Sequence, residues 1–347
     1  MPKIPRFVLF LFFITVVVQD AGAFGIDNNR KKKRDSLNTE NIIDLSHKLG
    51  LHFYGKKKLT TFGFKDNISK RELLYRPNDQ LNIGIGFNYK FLGIGLAFNF
   101  KFINNDDLIY GNTSRLDWNM NAYGRKSVID LTFFYYKSFY LYNPQNVLNG
   151  WQQGDSNYIR PDVEMASVGL AYTYIFNHEK FSYKAAFVSN AIQKRSAGSF
   201  FLGGFINVSS VEADSSFFPS NSVFDTFPQL YAFGRGSVGI SFGYAYNLII
   251  KKYFYISSSL SLQPSLGSLS YRIVNQPEDS KNAPSVNVIP RFAIGHNSPK
   301  WYYGLSMVSR VSIVNAMNNS SRLSLIFQYG NYRFFIGRHF DIKRKKK

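Results

Sequence analysis

The 347-residue chain contains no cysteine. That absence excludes disulfide frameworks and thiolate metal sites and is compatible with an oxidising compartment. Long apolar runs are missing too. The only sustained one, Phe7 to Val18, falls short of the ~20 residues that a spanning helix needs. If the chain crosses a membrane, a closed barrel is therefore the only route left to it. Acidic residues are scarce, 22 Asp and Glu against 42 Lys and Arg, for a formal net charge of +20. Nucleic-acid binding is the habitual reading of such an excess. Ten of the basic residues, however, sit in two clusters, Arg30-Lys31-Lys32-Lys33-Arg34 and Lys343-Arg344-Lys345-Lys346-Lys347. On an exported chain these suit solvated tails or anionic headgroups better than nucleic acid.

What the chain has is aromatic side chains and alternation. Phe and Tyr number 34 and 23, more than a soluble core places easily on alternate positions. The stretch from Leu81 to Phe102 holds two alternating runs in opposite phase. Leu81, Ile83, Ile85, Phe87 and Tyr89 are apolar, then Leu92, Ile94, Leu96, Phe98, Phe100 and Phe102. A period of two specifies extended strands with one apolar face. The phase flips across Lys90-Phe91, as a tight hairpin requires if both apolar rows share a side. The opposite face carries Asn82, Gly84, Gly86, Asn88, Gly93, Gly95, Ala97 and Asn99. A soluble sheet would carry charge there, whereas Gly, Ala and Asn suit the interior of a barrel whose outer face meets lipid.

Lys3 and Arg6, the run Phe7–Val18 and Ala21-Gly22-Ala23 have the order of a secretory signal with cleavage before Phe24. Residues 24–47 are polar and aperiodic and read as a flexible basic linker. The barrel is expected over 48–340, with a basic tail at 341–347. Its first candidates are two short strands around Leu49–Tyr54 and Leu59–Phe64. Later ones include Leu116–Ala122, a long strand at 127–142, and a hairpin whose return strand carries Phe181, Tyr183, Ala185 and Phe187. Residues 198–208 are extended, the alternation resumes from Val238, and the last hairpin turns at Gly330-Asn331. Loops fall at 143–162, 209–231 and 268–284. Strand signals and the even-number rule for single-chain barrels give about fourteen strands, with twelve as the alternative.

Several stretches also resemble a known family. Tyr75-Arg76-Pro77-Asn78, Ile83 to Lys90, Tyr158 to Asp162, Phe181 to Phe187 and Gln193 to Phe200 are similar to segments of domain of unknown function 4421. The resemblance runs from near residue 45 to the end. It implies an exported outer-membrane barrel of Bacteroidetes-type, Gram-negative bacteria and supplies no catalytic residue.

Chemistry is sparse. None of His47, His52, His178, His296 and His339 sits in a metal-ligand motif, and surface or interfacial placement is expected for them. A Ser–His lipid hydrolase or deacylase needs a serine, a histidine and an orienting group side by side, and no motif marks such a trio. The pairs Gly84/Gly86 and Gly93/Gly95 lie within strands and read as room for lumenal side chains or as sites of strand curvature, not as nucleotide loops. By phase, the ionisable residues expected to face the lumen are Asp117, Asp130, Lys184, Arg291, Arg310 and Arg333, beside interior Tyr302 and Phe335. They would either set pore selectivity or form an ion-pair network that fills the barrel.

The expectation is an all-β, antiparallel transmembrane barrel in the bacterial outer membrane, non-enzymatic and without cofactor, metal or nucleic acid. It would pass a small solute or serve a structural or assembly role. Its partners would be outer-membrane lipid, lipopolysaccharide and the barrel-assembly machinery. The alternatives are a lipid hydrolase built on a barrel and an adhesin acting through the loops at 143–162 and 209–231.

Overall fold

The computed structural model describes residues 40–342 except 91, 101, 104, 225, 226, 228 and 316–322. The predicted leader, most of the linker and both basic clusters lie outside the described residues. Along the chain come β1 (Ile42–Asp44), β2 (Leu49–Asp66), β3 (Glu72–Arg76), β4 (Leu81–Tyr89) and β5 (Leu92–Asn99). A turn of helix, α1 (Asp107–Tyr110), precedes β6 (Ser114–Tyr123), β7 (Ser127–Leu141) and β8 (Ile159–Ile175). A second short helix, α2 (Tyr183–Phe187), leads to β9 (Ala191–Gln193), β10 (Ala197–Glu212), β11 (Leu230–Ile250) and β12 (Phe254–Ile273). The last four are β13 (Asp279–Asn282), β14 (Ser285–Asn297), β15 (Trp301–Asn315) and β16 (Leu323–Phe340).

Ten strands close into an antiparallel barrel in the order β16-β15-β14-β12-β11-β10-β8-β7-β3-β2, with β16 returning to pair β2. The hairpin β4–β5 extends from β2, β6 from β7 and β13 from β12, giving a sheet of fourteen strands. Neither fourteen nor twelve is the number in the closed ring. The reason lies at β3, which has only five residues. It pairs β2 from Phe62 to Lys65 but meets β7 only through Tyr75↔Leu141 and Arg76↔Tyr140. Pro77 then interrupts the strand, since it has no N–H to donate. The chain resumes as β4 along the first part of β2, from Gly50 to Lys57. No ladder joins β5 to β6 among the described residues.

Other expectations are corrected. The two candidates within 48–66 are one strand, because Lys56 and Lys58 continue its inward row and need not break it. No turn occurs at Gly330-Asn331. Leu325, Phe327, Tyr329, Asn331, Arg333 and Phe335 keep one parity, and pairing with β15 and β2 runs unbroken from Ser324 to Arg338. A Cβ on Gly330 would lie 2.1 Å from the Val308 carbonyl oxygen, so this glycine serves a close strand approach. Pro290 lies inside β14, and both it and Ile289 are missing from the pairing with β15.

The alternation in β4 is realised as expected. Ile85 and Phe87 are exposed, while Gly84, Gly86 and Asn88 are buried. The glycines make room for neighbours: a Cβ on Gly84 would fall 2.6 Å from the Tyr54 ring, and one on Gly86 2.5 Å from His52.

Candidate functional site

The lumen has three zones. At the end where β2 finishes and β16 begins, the mouth is capped by aromatic side chains. Phe62, Phe64, Leu73, Tyr75 and Phe139 of the wall are fully buried with Phe217, Phe218 and Phe224 of the β10–β11 connection. Phe217 meets Phe62, Phe64 and Phe233 at ring-centroid distances of 5.5–5.7 Å, within the range of favourable aromatic packing. Polar contacts hold the connection in place. Tyr75 Oη donates to the Phe217 carbonyl at 2.7 Å. Arg160 grips Asp162 with two bonds of 2.7–2.8 Å and donates to the carbonyls of Ser215 and Ser216. The β7–β8 connection joins the cap, since the Val223 and Asn149 amides donate to the Val147 and Asn221 carbonyls. Both loops weighed for surface adhesion thus close the barrel mouth.

The opposite end holds a plug. Residues 181–187, expected as a return strand, instead form α2 and its approach. Ser182 caps the helix by accepting from the Ala185 amide, and Tyr183, Ala185 and Ala186 are buried. The alternation of Phe181, Tyr183, Ala185 and Phe187 imitates a strand because this short segment is largely buried, between the wall and the residues of the plug that follow it. After it, β9 pairs β1 through Ile42↔Gln193, Ile43↔Ile192 and Asp44↔Ala191, so the expected linker yields a strand at its end. Wall asparagines bind the plug backbone. Asn297 donates to the carbonyls of Ala185 and Ala191, Asn247 to that of Ser182, and Asn88 to that of Val188, at 2.7–3.1 Å. Tyr255 Oη adds a bond to the Ala186 carbonyl at 2.9 Å.

Between cap and plug the lumen is polar, and the structure brings together most of the residues expected there. Asp117 pairs with Lys58 at 2.5 Å and accepts from Tyr136 Oη. Asp130 takes Arg291 Nη2 at 3.2 Å and Asn121 Nδ2 at 2.6 Å. Arg333 donates to His52 Nε2 at 2.7 Å and lies over the Tyr54 and Phe335 rings. Since arginine only donates, His52 Nε2 must accept there, which leaves Nδ1 to donate to Tyr302 Oη at 3.2 Å. Arg310 faces Phe205 and Tyr329. Lys184 is the misplaced member: it lies on α2 in the plug, 3.4 Å from Asp44, and not on the wall.

Reading the sequence missed Arg235, which is buried in the lumen. The signal was available, because it shares the inward parity of Ser237 and Gly239 on β11. Of the histidines expected at the surface or interface, His52 and His339 are instead buried, each only 5% exposed. His339 faces the Ser189 carbonyl at 2.9 Å. Neither buried histidine has a serine hydroxyl partner among the described residues. A cavity of about 40 Å³ lies in the polar zone, lined by Arg235 and Arg310, and a second of about 20 Å³ lies beside Arg291 and Arg310.

The molecule is thus a closed antiparallel barrel, filled at both ends and polar in its middle. The family model described as Domain of unknown function (DUF4421) matches residues 39–340, and the chain belongs to that family. No curated protein matches it. Among solved structures it is similar to the outer membrane protease OmpT from Escherichia coli, at 8% identity and a TM-score of 0.41, covering 87% of this chain and 100% of that one. It is also similar to the translocator domain of autotransporter NalP from Neisseria meningitidis, at 7% identity and a TM-score of 0.31, covering 93% and 98%. The attachment invasion locus protein Ail of Yersinia pestis gives 12% identity and a TM-score of 0.21, covering 62% and 98%. These scores are too low to transfer an activity or a binding role.

Proposed function

We propose that this chain is a non-enzymatic protein of the bacterial outer membrane whose barrel spans the bilayer with its lumen shut, in a structural or assembly role and not as a standing pore. The observation that carries the reading is the outward row of β11. Val238, Ile240, Phe242, Tyr244, Tyr246, Leu248 and Ile250 are all exposed. From Val238 to Ile250 the strand rises roughly 40 Å, or about 30 Å along a barrel axis at the usual tilt of bilayer-spanning strands. That height matches a hydrocarbon core. An apolar row of this length facing water would be an aggregation liability. The partners implied are outer-membrane lipid and lipopolysaccharide on the wall, and the barrel-assembly machinery during insertion. Passage of a solute would require both the cap and the plug to move.

The test is fractionation and gel mobility with and without boiling, followed by conductance in a planar bilayer. The expected results are recovery with the outer membrane, a compact band that shifts only on boiling, and no steady current from the intact chain. A soluble periplasmic chain with no shift would overturn the membrane reading. A steady current would overturn the closed-lumen reading.

A further inference from the structure

Charge inside the lumen does not cancel locally. Lys58, Arg291 and Lys184 each have a carboxylate partner. Arg235 and Arg310 have no ion-pair partner among the described residues, yet both line the 40 Å³ cavity, and no Asp or Glu lines it with them. The carboxylate of Asp130, which pairs with Arg291, lines the neighbouring 20 Å³ cavity that Arg310 also borders. Arg235 is 6% exposed. Its Nη2 donates to Ser285 Oγ at 2.6 Å, with longer contacts to Ser265 Oγ and the Ala283 carbonyl at 3.3 and 3.5 Å. Its Nε has no hydrogen-bond partner among the described residues, and neither do the buried hydroxyls of Ser237 and Ser312, which line the same cavity. Arg310 is met by the rings of Phe205 and Tyr329, at 5.9 and 5.1 Å from their centroids.

The Arg235 guanidinium, buried without a counter-charge beside the half-buried Arg310, is costly, and buried donors left unbonded add to that cost. A small anion with several acceptor oxygens relieves both at once, because guanidinium forks and hydroxyls are the donors that phosphate and sulfate accept best. The size agrees, since about 40 Å³ holds roughly three waters at ~10–15 Å³ each, close to the bulk of one tetrahedral oxyanion. From these observations we infer that the Arg235–Arg310 cavity is a binding site for a single small oxyanion of the phosphate or sulfate class, enclosed between cap and plug. The site rests on the closed lumen and does not depend on which membrane holds the barrel.

The test uses the full chain, refolded into detergent micelles at matched ionic strength with phosphate, sulfate or chloride, so that the anion is present before the ends close. Retained phosphate is measured after desalting and thermal unfolding is followed in each salt. Expected are phosphate retained in proportion to protein and a higher unfolding temperature in phosphate or sulfate than in chloride. Arg310→Gln, which removes no hydrogen bond seen in the structure, should cut affinity about tenfold, the scale of one charged hydrogen bond, and Arg310→Lys should restore part of it. A wild-type chain that retains no phosphate overturns the site. So does an Arg310→Gln chain that retains as much as wild type. The boiling shift, read on the same samples, keeps failure of the site distinct from failure of the barrel.

Discussion

The two ends of the lumen are closed by opposite chemistries. The cap is a dry aromatic cluster in which Phe62, Phe64, Phe139 and Phe217 are fully buried. The plug is held by polar side chains of the wall, chiefly Asn88, Asn247, Asn297 and Tyr255, donating to backbone carbonyls. Apolar packing is non-directional and tolerates small shifts. Hydrogen bonds to a folded backbone fix one register and weaken steeply with misalignment. The cap is therefore the firmer closure and the plug the more exactly registered one.

That contrast can be broken at three points. The largest effect is expected for Phe217→Ala, which empties the centre of the cap. The cost should be ~3–5 kcal/mol, typical of a buried phenylalanine, read as a lower unfolding midpoint. Proteolysis should begin within the β10–β11 connection, and an unchanged midpoint would show that the cap does not stabilise the barrel. Asn297→Ala comes next. It strips bonds from two plug carbonyls at once, for about 1–3 kcal/mol. Amide exchange should rise in 185–191 and leave the cap untouched, whereas equal exchange at both ends would mean that cap and plug open as one. The smallest effect belongs to Arg195→Ala. Its pair with Glu40 is exposed on both sides, so the midpoint should move by under ~1 kcal/mol. A larger loss would give this rim pair a part in holding the plug.

The wall was largely legible in the sequence because period-two alternation encodes it directly. Asp117, Asp130, Arg291, Arg310 and Arg333 share one inward parity with their strand neighbours, and Arg235 lies on the same kind of row in β11, nearer Leu230 than the alternation that resumes at Val238. The filling was not legible. Phe181 to Phe187 alternates like a strand, yet Tyr183–Phe187 folds as a helix, because most of the segment is buried between the wall and the β1–β9 pair and little solvent face is left to impose a helical period. The cap loop reads as Ser-, Phe- and Pro-rich linker, and only the fold shows its phenylalanines turning inward. Gly330-Asn331 carries the chemistry of a turn, and the neighbouring strands on both sides override it.

The uneven ring also has a mechanical side. Where the first and last strands of the ring meet, β16 and β2 are zipped from Leu49 to Asp66. Between β3 and β7 the ladder has two pairs, Tyr75↔Leu141 and Arg76↔Tyr140, supplemented by the Tyr142 amide on the Leu74 carbonyl and by the Asn143 side chain on Leu74 and Glu72, and the hairpins on either side of that bridge share no ladder among the described residues. A circumference strained outward yields at its weakest rung. This one has its weak rung at β3, so the hoop would part sideways there while β2 and β16 stayed fastened.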